Sequence, residues 1–481
     1  VSDPLDAPSA KADVLVIGGG ITGCAVARDA AARGLTVVLV ERRDLAAGTS
    51  GRSTKLLHGG LRYLEHGHVR LVREALRERE ITARLAPALA VPLRFVMPIW
   101  PGTFPGRMAA RVGVGFYDLL AGRSPLPRGR RVRPREIAEL VPALMEGYRG
   151  GVAFSDRQTD DARLTVSIAR DAVRRGATIR LGLEVTALAR TSGGHRAPGR
   201  HDDGTSTSIE ARCVINAAGP WVDQVRRLDG LSEPLLRTSR GAHLVFERLD
   251  VRAALLLPGA RRAHRLFAIP WRGVVLFGTT DVVDDSDPGR DEAHADDLRL
   301  LFREARRLFP RAQLSRRDVI SAFTGVRPLI RQAGDTVAAS REHAIRDEDG
   351  LITIAGGKLT TWRTMAIDAV DVAMRRLGSA EPSPAGLLEE PLPGGAAATP
   401  ELADVLADEM PRHAEDVVFR RLPIGHDPHE VRRRLPTVVA AMRERFDWDP
   451  ARAEEEHERV IARLEAQSRR LDEALGPESK P

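Results

Sequence analysis

An apolar run, Val14-Leu15-Val16-Ile17, leads straight into Gly18-Gly19-Gly20-Ile21-Thr22-Gly23, and a helical pattern follows. No other stretch limits the fold as strongly. Its three spaced glycines, Gly18, Gly20 and Gly23, have separate uses. The first permits a tight turn, the second lets backbone approach a pyrophosphate, and the third lets helix and strand pack closely. The helix start offers free N–H groups and a positive dipole end to the same phosphates. The turn alone is compatible with NAD, NADP or FAD. Residues 13–40 read as strand, turn, helix and strand. The helix is rich in small residues (Ala25, Ala27, Ala30, Ala31, Ala32) and ends at Gly34, a residue suited to a helix C-terminus. The second strand ends in Glu41, eighteen residues beyond Gly23, where a ribose-binding carboxylate belongs.

Residues 48–65, Gly-Thr-Ser-Gly-Arg-Ser-Thr-Lys-Leu-Leu-His-Gly-Gly-Leu-Arg-Tyr-Leu-Glu, mix hydroxyls, glycines and cations. They lack apolar periodicity until Leu61, which predicts a structured loop feeding a helix. Such a loop sets backbone N–H groups and small hydroxyls against a pyrophosphate or a flavin ring. Further along come Phe154-Ser155-Asp156, Asp160-Asp161-Ala162-Arg163-Leu164, Asn216-Ala217-Ala218-Gly219-Pro220-Trp221-Val222 and Arg240-Gly241-Ala242-His243. Then follow Ile269-Pro270-Trp271, Gly278-Thr279-Thr280-Asp281, Gly325-Val326-Arg327-Pro328-Leu329 and Gly356-Gly357-Lys358-Leu359-Thr360-Thr361.

This ordered set, spread over residues 13–375, resembles the flavin-dependent (aerobic) glycerol-3-phosphate dehydrogenase family, within the D-amino-acid-oxidase-like flavoproteins. One departure is Gly51, where the family usually has serine. The resemblance implies an α/β fold with three parts. These are a Rossmann-like FAD-binding domain, an antiparallel-sheet substrate domain and a small C-terminal helical domain. The implied boundaries are 10–80, 150–230 and 341–378 for the FAD-binding domain, and 81–149 and 231–340 for the substrate domain. Residues 379–399, rich in proline and glycine, read as a linker, and 400–475 as the helical domain, with Asp449-Pro450 as a helix start. That last domain is shorter than is usual in the resembled family.

The implied reaction oxidises the secondary alcohol of sn-glycerol 3-phosphate to dihydroxyacetone phosphate. A hydride leaves C2 for flavin N5, and a base takes the hydroxyl proton. A cofactor carries the redox step, and the protein supplies position and charge. The catalytic candidates are Arg327, which can hold the substrate oxygen, His243 as base or relay, and His58 as base or as a structural residue. His243 stands on an otherwise apolar strand, a setting in which a lone histidine is commonly a core residue. The substrate-binding candidates are Arg62, Tyr63, Arg341 and Lys358. FAD contacts are implied at Gly18, Gly20, Gly23, Glu41 and Arg42 in the first unit. In the loop they fall on Thr49, Ser50, Ser53, Thr54, Leu57, Gly59 and Gly60. The later contacts are Val185, Ala218, Gly219, Gly357, Lys358, Leu359 and Thr360. With FAD as the cofactor, a nicotinamide enzyme is set aside, because one ligand explains the loop, the return strand near Val185 and the turn at 356–361. A related oxidase of an amine or another hydroxy substrate, and a non-catalytic flavin-binding protein, remain as alternatives.

Composition narrows the remaining classes. The chain has 481 residues, enough for two or three domains. Its two cysteines, Cys24 and Cys213, provide no disulfide framework or thiolate metal site, and the 13 histidines are scattered, so no metal is expected. No signal peptide is read, and the apolar stretch at 85–100 is broken by Pro87, Pro92, Pro98 and Arg94. The formal net charge of +7 accords with an anionic partner, such as a phosphorylated substrate or a membrane surface, or with an arginine-rich solvated exterior. Aromatic residues are only 4% and are not interleaved with the arginines, which speaks against nucleic-acid binding. Residues 104–135 hold eight arginines and one acid, with Met108, Val112, Val114, Phe116 and Leu119 among them. Such a segment can lie on an anionic bilayer, or form a buried helix followed by an arginine-rich, solvated loop. The resemblance implies a cytoplasmic protein attached peripherally to the membrane, with quinone or another acceptor taking the electrons. Pairing with a second copy as a homodimer is left open.

Overall fold

The computed structural model describes residues 9–103, 105–260, 265–284, 288–289, 292–331 and 343–476, without the side chains of Arg62 and His66. Two sheets carry the fold. The central Ser9–Ile17 strand of the first pairs in parallel with Ser206–Asn216 on one side and Val37–Glu41 on the other. Thr178–Leu181 extends that side and Leu351–Gly356 the opposite one, both in parallel. These strands read as continuous apolar runs because both faces are covered. On one face the helices Ile21–Ala32, Asp161–Arg174 and Trp362–Arg376 bury Cys24, Ala27, Ile168, Trp362 and Val370 in one core, which also takes Cys213.

The second sheet is mostly antiparallel. Leu236–Phe246 runs between Val319–Ile330 and Val274–Gly278, and the sheet continues through Arg265–Trp271, Ala254–Pro258 and Ala90–Pro98. The Gly151–Thr159 strand belongs here, paired along its length with Ala90–Pro98. The boundary drawn at 150 from sequence therefore needs moving: residues 151–159 complete the second sheet, and the chain re-enters the first unit at Asp160. A helix at Ala295–Leu308 packs on this sheet through Leu298, Leu301 and Ala305.

Three other sequence readings are altered. Residues 191–208, whose glycine, serine and aspartate content and lack of periodicity suggest a surface hairpin loop, form paired strands, with Gly194–His201 antiparallel to Ser206–Asn216. Residues 379–399 do not hang free. Leu387 and Leu392 are buried, and the Leu392 N–H bonds the Leu85 carbonyl at 2.8 Å. The arginines are not simply a solvated exterior, since Arg28, Arg79, Arg163 and Arg421 are among the largest fully buried side chains.

Burying a guanidinium demands a partner. Arg421 lies fully inside and forms a fork onto the Asp44 carboxylate, at 2.6 and 2.7 Å. Arg420 reaches the same carboxylate at 2.5 Å and also pairs with Asp416. Burial would raise the Asp44 carboxyl, but Arg421 and Arg420 overcome it and hold it at about 2. Arg163 pairs with Glu409 in the same way. These pairs join the first unit to the C-terminal helices, whose own core holds Val417, Val431, Leu435, Met442 and Val460. The last helix, Pro450–Leu475, starts with the Asp449 side chain accepting the Arg452 N–H.

Removing one partner of a buried pair strands the other charge. Arg421→Ala should lower the free energy of unfolding by about 3–5 kcal/mol in urea titrations. Arg433→Ala, at an exposed pair with Glu430, should change it by less than about 0.5 kcal/mol. Equal effects would remove the Asp44 cluster as a structural lock.

Candidate active site

The glycine turn is shaped by close backbone approach. Gly18 sits at φ +116°, and a Cβ there would fall 2.7 Å from the Ala217 carbonyl oxygen. A Cβ on Gly23 would fall 1.9 Å from the Gly18 carbonyl, so Gly23 lets the helix cross the strand end. Gly20 meets only the Ser50 hydroxyl at 3.2 Å and opens onto a cleft. Glu41 ends its strand with both oxygens engaged, accepting the N–H of Gly19 at 2.7 Å and of Arg43 at 2.9 Å. Ser50 accepts the Ile21 N–H at 2.9 Å, which fastens the loop to the helix start.

The cleft has a volume of about 480 Å³. It draws its walls from both sheets. The first sheet supplies Gly18, Gly20, Glu41, Arg42, Val185, Ala218 and Gly219; the loop adds Thr49, Ser50, Ser53, Thr54, His58 and Tyr63. His243, Arg327 and the turn Gly357-Lys358-Leu359-Thr360 complete it. Thus most of the sequence-assigned residues meet on one cavity. Gly23, Leu57, Gly59 and Gly60 stand behind the wall rather than on it. Arg341 lies outside the described residues, as does the side chain of Arg62.

Lys55 and Asp161 hold the loop. Both are buried and paired, and the Asp161 carboxylate also accepts the N–H of Ser53 and of Ala162, each at 2.8 Å. Burial raises the Asp161 carboxyl, and the Lys55 charge opposes that rise. The Lys55 ammonium also donates to the Gly51 carbonyl at 3.0 Å. A Cβ on Gly51 would meet the Ala46 carbonyl oxygen at 2.5 Å, which accounts for glycine at that position in this chain.

Arg327 lies across strand Leu236–Phe246, its backbone opposite Ser239. Its guanidinium donates to Thr279 Oγ1 at 2.9 Å and to the Thr280 carbonyl at 3.2 Å, and pairs with Asp281 at 3.3 Å. It passes over Gly241, where a Cβ would fall 2.2 Å from one Nη. His243, two residues along, is 2% exposed and stacks on Phe323 at 4.6 Å. Its Nε2 lies 3.0 Å from the Thr54 hydroxyl. Its Nδ1 is buried without a hydrogen-bond partner among the described residues. Burial, then Arg327 and Lys55, push the imidazole down to about 3, so the ring is neutral at physiological pH. Lys358 holds its ammonium 3.7 Å from the centre of the Tyr63 ring, a cation–π contact.

Sequence reasoning passed over several groups in this wall. Trp221 lies under Arg42 and Arg43, at 4.9 and 5.8 Å, and its indole N–H is buried without a partner among the described residues. Arg52, Phe267 and Thr279 also line the cleft. The adjacency of Arg42-Arg43 to Glu41 was visible; the return of Trp221 to that spot depends on the parallel pairing of strands far apart in sequence.

The cleft fits FAD. A narrow glycine-lined passage at Gly18 and Gly20, an acid at the strand end and an unpartnered indole donor suit the adenosine and pyrophosphate. The glycine-rich wall at Gly356-Gly357 and the polar loop suit a flat ring. The comparisons agree. The profile of the FAD dependent oxidoreductase family matches residues 13–362. The chain is 37% identical over 376 residues to an aerobic glycerol-3-phosphate dehydrogenase of Staphylococcus saprophyticus, covering 76% of this chain and 68% of that one. It is 38% identical over 413 residues to a D-erythritol 1-phosphate dehydrogenase of Brucella abortus, covering 83% and 81%. The crystal structure of a Bacillus halodurans glycerol-3-phosphate dehydrogenase complexed with FAD superposes with a TM-score of 0.77 at 28% identity, covering 99% and 97%. Glycine turn, cleft and relatives lead to one conclusion: the chain belongs to the FAD-dependent oxidoreductases, in the group that includes the aerobic glycerol-3-phosphate dehydrogenases.

Proposed function

We propose that the chain oxidises sn-glycerol 3-phosphate to dihydroxyacetone phosphate. The observation that carries this reading is the meeting of Arg327, His243 and Lys358 on one flavin-sized cleft. FAD supplies the two-electron acceptor. Arg327 holds the substrate's C2 oxygen and stabilises alkoxide character as the proton leaves. His243, kept neutral, offers a ring nitrogen to that proton, and the Thr54 hydroxyl orients the ring at Nε2. Lys358 and Arg52 supply positive charge to a phosphate dianion. A longer polyol phosphate, D-erythritol 1-phosphate, is a second reading, favoured by the larger shared span with the Brucella abortus relative. Electrons then pass to quinone or another acceptor.

We further propose that the Arg107–Ala121 helix rests on an anionic bilayer at the cytoplasmic face. Met108, Val112, Phe116 and Leu119 recur on one face and are 40–72% exposed. Arg107, Arg111, Arg123 and Arg128 lie near them in sequence. Among the described residues, no helix is long and apolar enough to cross a membrane. A peripheral contact with charge complementarity suits this pattern.

Anaerobic addition of glycerol 3-phosphate to the yellow holoenzyme should bleach the flavin band. Bleaching by D-erythritol 1-phosphate alone would move the substrate to the longer polyol. Bleaching by amines alone, or by nothing, would overturn the dehydrogenase reading. Arg327→Ala should retain FAD and lose roughly 100- to 1,000-fold in turnover. Turnover within about two-fold of wild type would remove Arg327 from the mechanism.

Burial of His243 also makes the stability depend on pH. Its lowered pKa favours the neutral ring in the folded state, so the stability it contributes is complete above the ordinary value of about 6.5 and falls as pH drops from there towards about 3. The base itself stays competent across that window. At saturating substrate, kcat should therefore show no acid limb near pH 6.5 assignable to His243. A limb there that disappears in His243→Gln would contradict the assignment.

Flotation with anionic vesicles at low salt should carry the protein upwards, and Leu119→Asp combined with Met108→Asp should abolish it. Absence of flotation by the unaltered protein would refute the bilayer contact.

A further inference from the structure

The Phe154-Ser155-Asp156 motif has no place in the cleft, yet Asp156 is 2% exposed and charged groups surround it. It pairs with buried Arg79 at 2.5 Å. Above it stands Tyr117, 1% exposed, whose phenol oxygen lies 2.8 and 2.9 Å from the two carboxylate oxygens. The same phenol oxygen accepts the Gly59 N–H at 2.8 Å. Burial, then the Asp156 charge, raise the Tyr117 hydroxyl well above its usual value, so it keeps its proton. A phenol has one proton to give, and Asp156 takes it; the lone pairs are left for Gly59. The direction of the chain is therefore fixed: Gly59 N–H to Tyr117, Tyr117 O–H to Asp156, with Arg79 behind.

Gly59 follows His58, which lines the cleft. The His58 N–H donates to Thr360 Oγ1 at 3.2 Å, and the Thr360 hydroxyl donates back to the His58 carbonyl at 3.3 Å. Thr360 also lines the cleft. Successive amides of the loop are thus tied to opposite supports. One belongs to the turn at the end of the first sheet, the other to a helix lying on the second. Contact at Gly59 is tight, since a Cβ there would fall 2.8 Å from the Tyr117 oxygen and 2.7 Å from Leu76 Cγ.

We propose that Tyr117 is a positioning residue for the loop segment at residues 58–60 that presents His58 to the cleft, acting through the Gly59 amide from a place outside the cleft. The hydroxyl fixes the plane of the peptide between His58 and Gly59, and with it the direction in which His58 enters the cleft. A buried N–H that loses its acceptor must move or stay unsatisfied, and either outcome disturbs this peptide. The phenyl ring contributes packing separately, edge-on to Phe154 with centroids 6.1 Å apart, so Tyr117→Phe removes the hydroxyl and keeps the ring.

The test compares Tyr117→Phe with Ser124→Ala in the FAD-loaded enzyme. Ser124 bonds Arg79 and Glu80 in the same buried network and does not touch Gly59. Amide hydrogen exchange across residues 58–60 should quicken at least about ten-fold in Tyr117→Phe and stay at the wild-type rate in Ser124→Ala. The visible flavin spectrum and the reduction potential should shift only in Tyr117→Phe. Its kcat should fall roughly ten-fold or more with KM changed less. Exchange and spectrum need no substrate, so they report on the positioning role even if the substrate assignment fails. Wild-type exchange, spectrum and potential in Tyr117→Phe would overturn the proposal. Equal shifts in both variants would also overturn it, because they would trace the effect to the network as a whole.

Discussion

The buried contact between Lys55 and Asp161 supports the rest of the site. Lys55 adopts φ +60°, an unusual conformation for a side-chain-bearing residue, and its ammonium is out of water. Such an arrangement persists only when its surroundings over-determine it. Here they do. Asp161 opens a helix, where a carboxylate meets free N–H groups, and it takes two backbone donors as well as the ammonium. The pair ties the cofactor loop to a helix of the first unit just as the chain leaves the second sheet through Gly151–Thr159. It also places a fixed positive charge near His243, where Lys55 joins burial and Arg327 in disfavouring the imidazolium. One ion pair therefore holds the path of the loop and adds to the burial and the Arg327 charge that keep the candidate base neutral.

How legible this was depends on how local each cause is. The glycine turn could be read because steric demands at Gly18 and Gly23 arise within a few residues. The helices with clear caps could be read for the same reason, as at Asp449-Pro450. Loop 48–65 could be read only as a structured loop feeding a helix, without its path. It contains short 3-10 turns at Thr49–Gly51 and Leu61–His66, and its path is held at Thr49, Ser53 and His58 by contacts with Val326, Asp161 and Thr360, all more than 100 residues away. The buried arginines were the least legible. Arg163 and Arg421 look in sequence like the exposed Arg433. Only the fold shows that Glu409 and Asp44 wait for them inside.

Those arginines change what the C-terminal helices do. Asp44 lies three residues after Glu41, on the segment that also carries Arg42 and Arg43 over Trp221. Fixing Asp44 through Arg420 and Arg421 therefore steadies the adenosine side of the cleft from behind. At the other side His426, from the same C-terminal unit, packs its ring 4.6 Å from Phe323, which in turn stacks on His243. The C-terminal unit thus backs both ends of the cleft without entering it.

For the proposed reaction, a neutral histidine next to two cations is a coherent choice for removing a proton from an alcohol bound to arginine. A charged imidazole would already hold a proton and would repel Arg327. Burial and the neighbouring cations keep it basic in form though weak in strength. In the proposed reaction the weakness matters less than the position, because Arg327 would also stabilise the alkoxide. The strand register secures both groups at once: His243 and Arg327 stand on adjacent strands, each two residues from the paired glycines Gly241 and Gly325 and on opposite sides of them. A Cβ at Gly325 would strike the Arg52 carbonyl at 2.6 Å, so the missing side chains also let the cofactor loop settle on this sheet. Strand pairing, loop and charge thus meet at one place because glycine leaves the space for them.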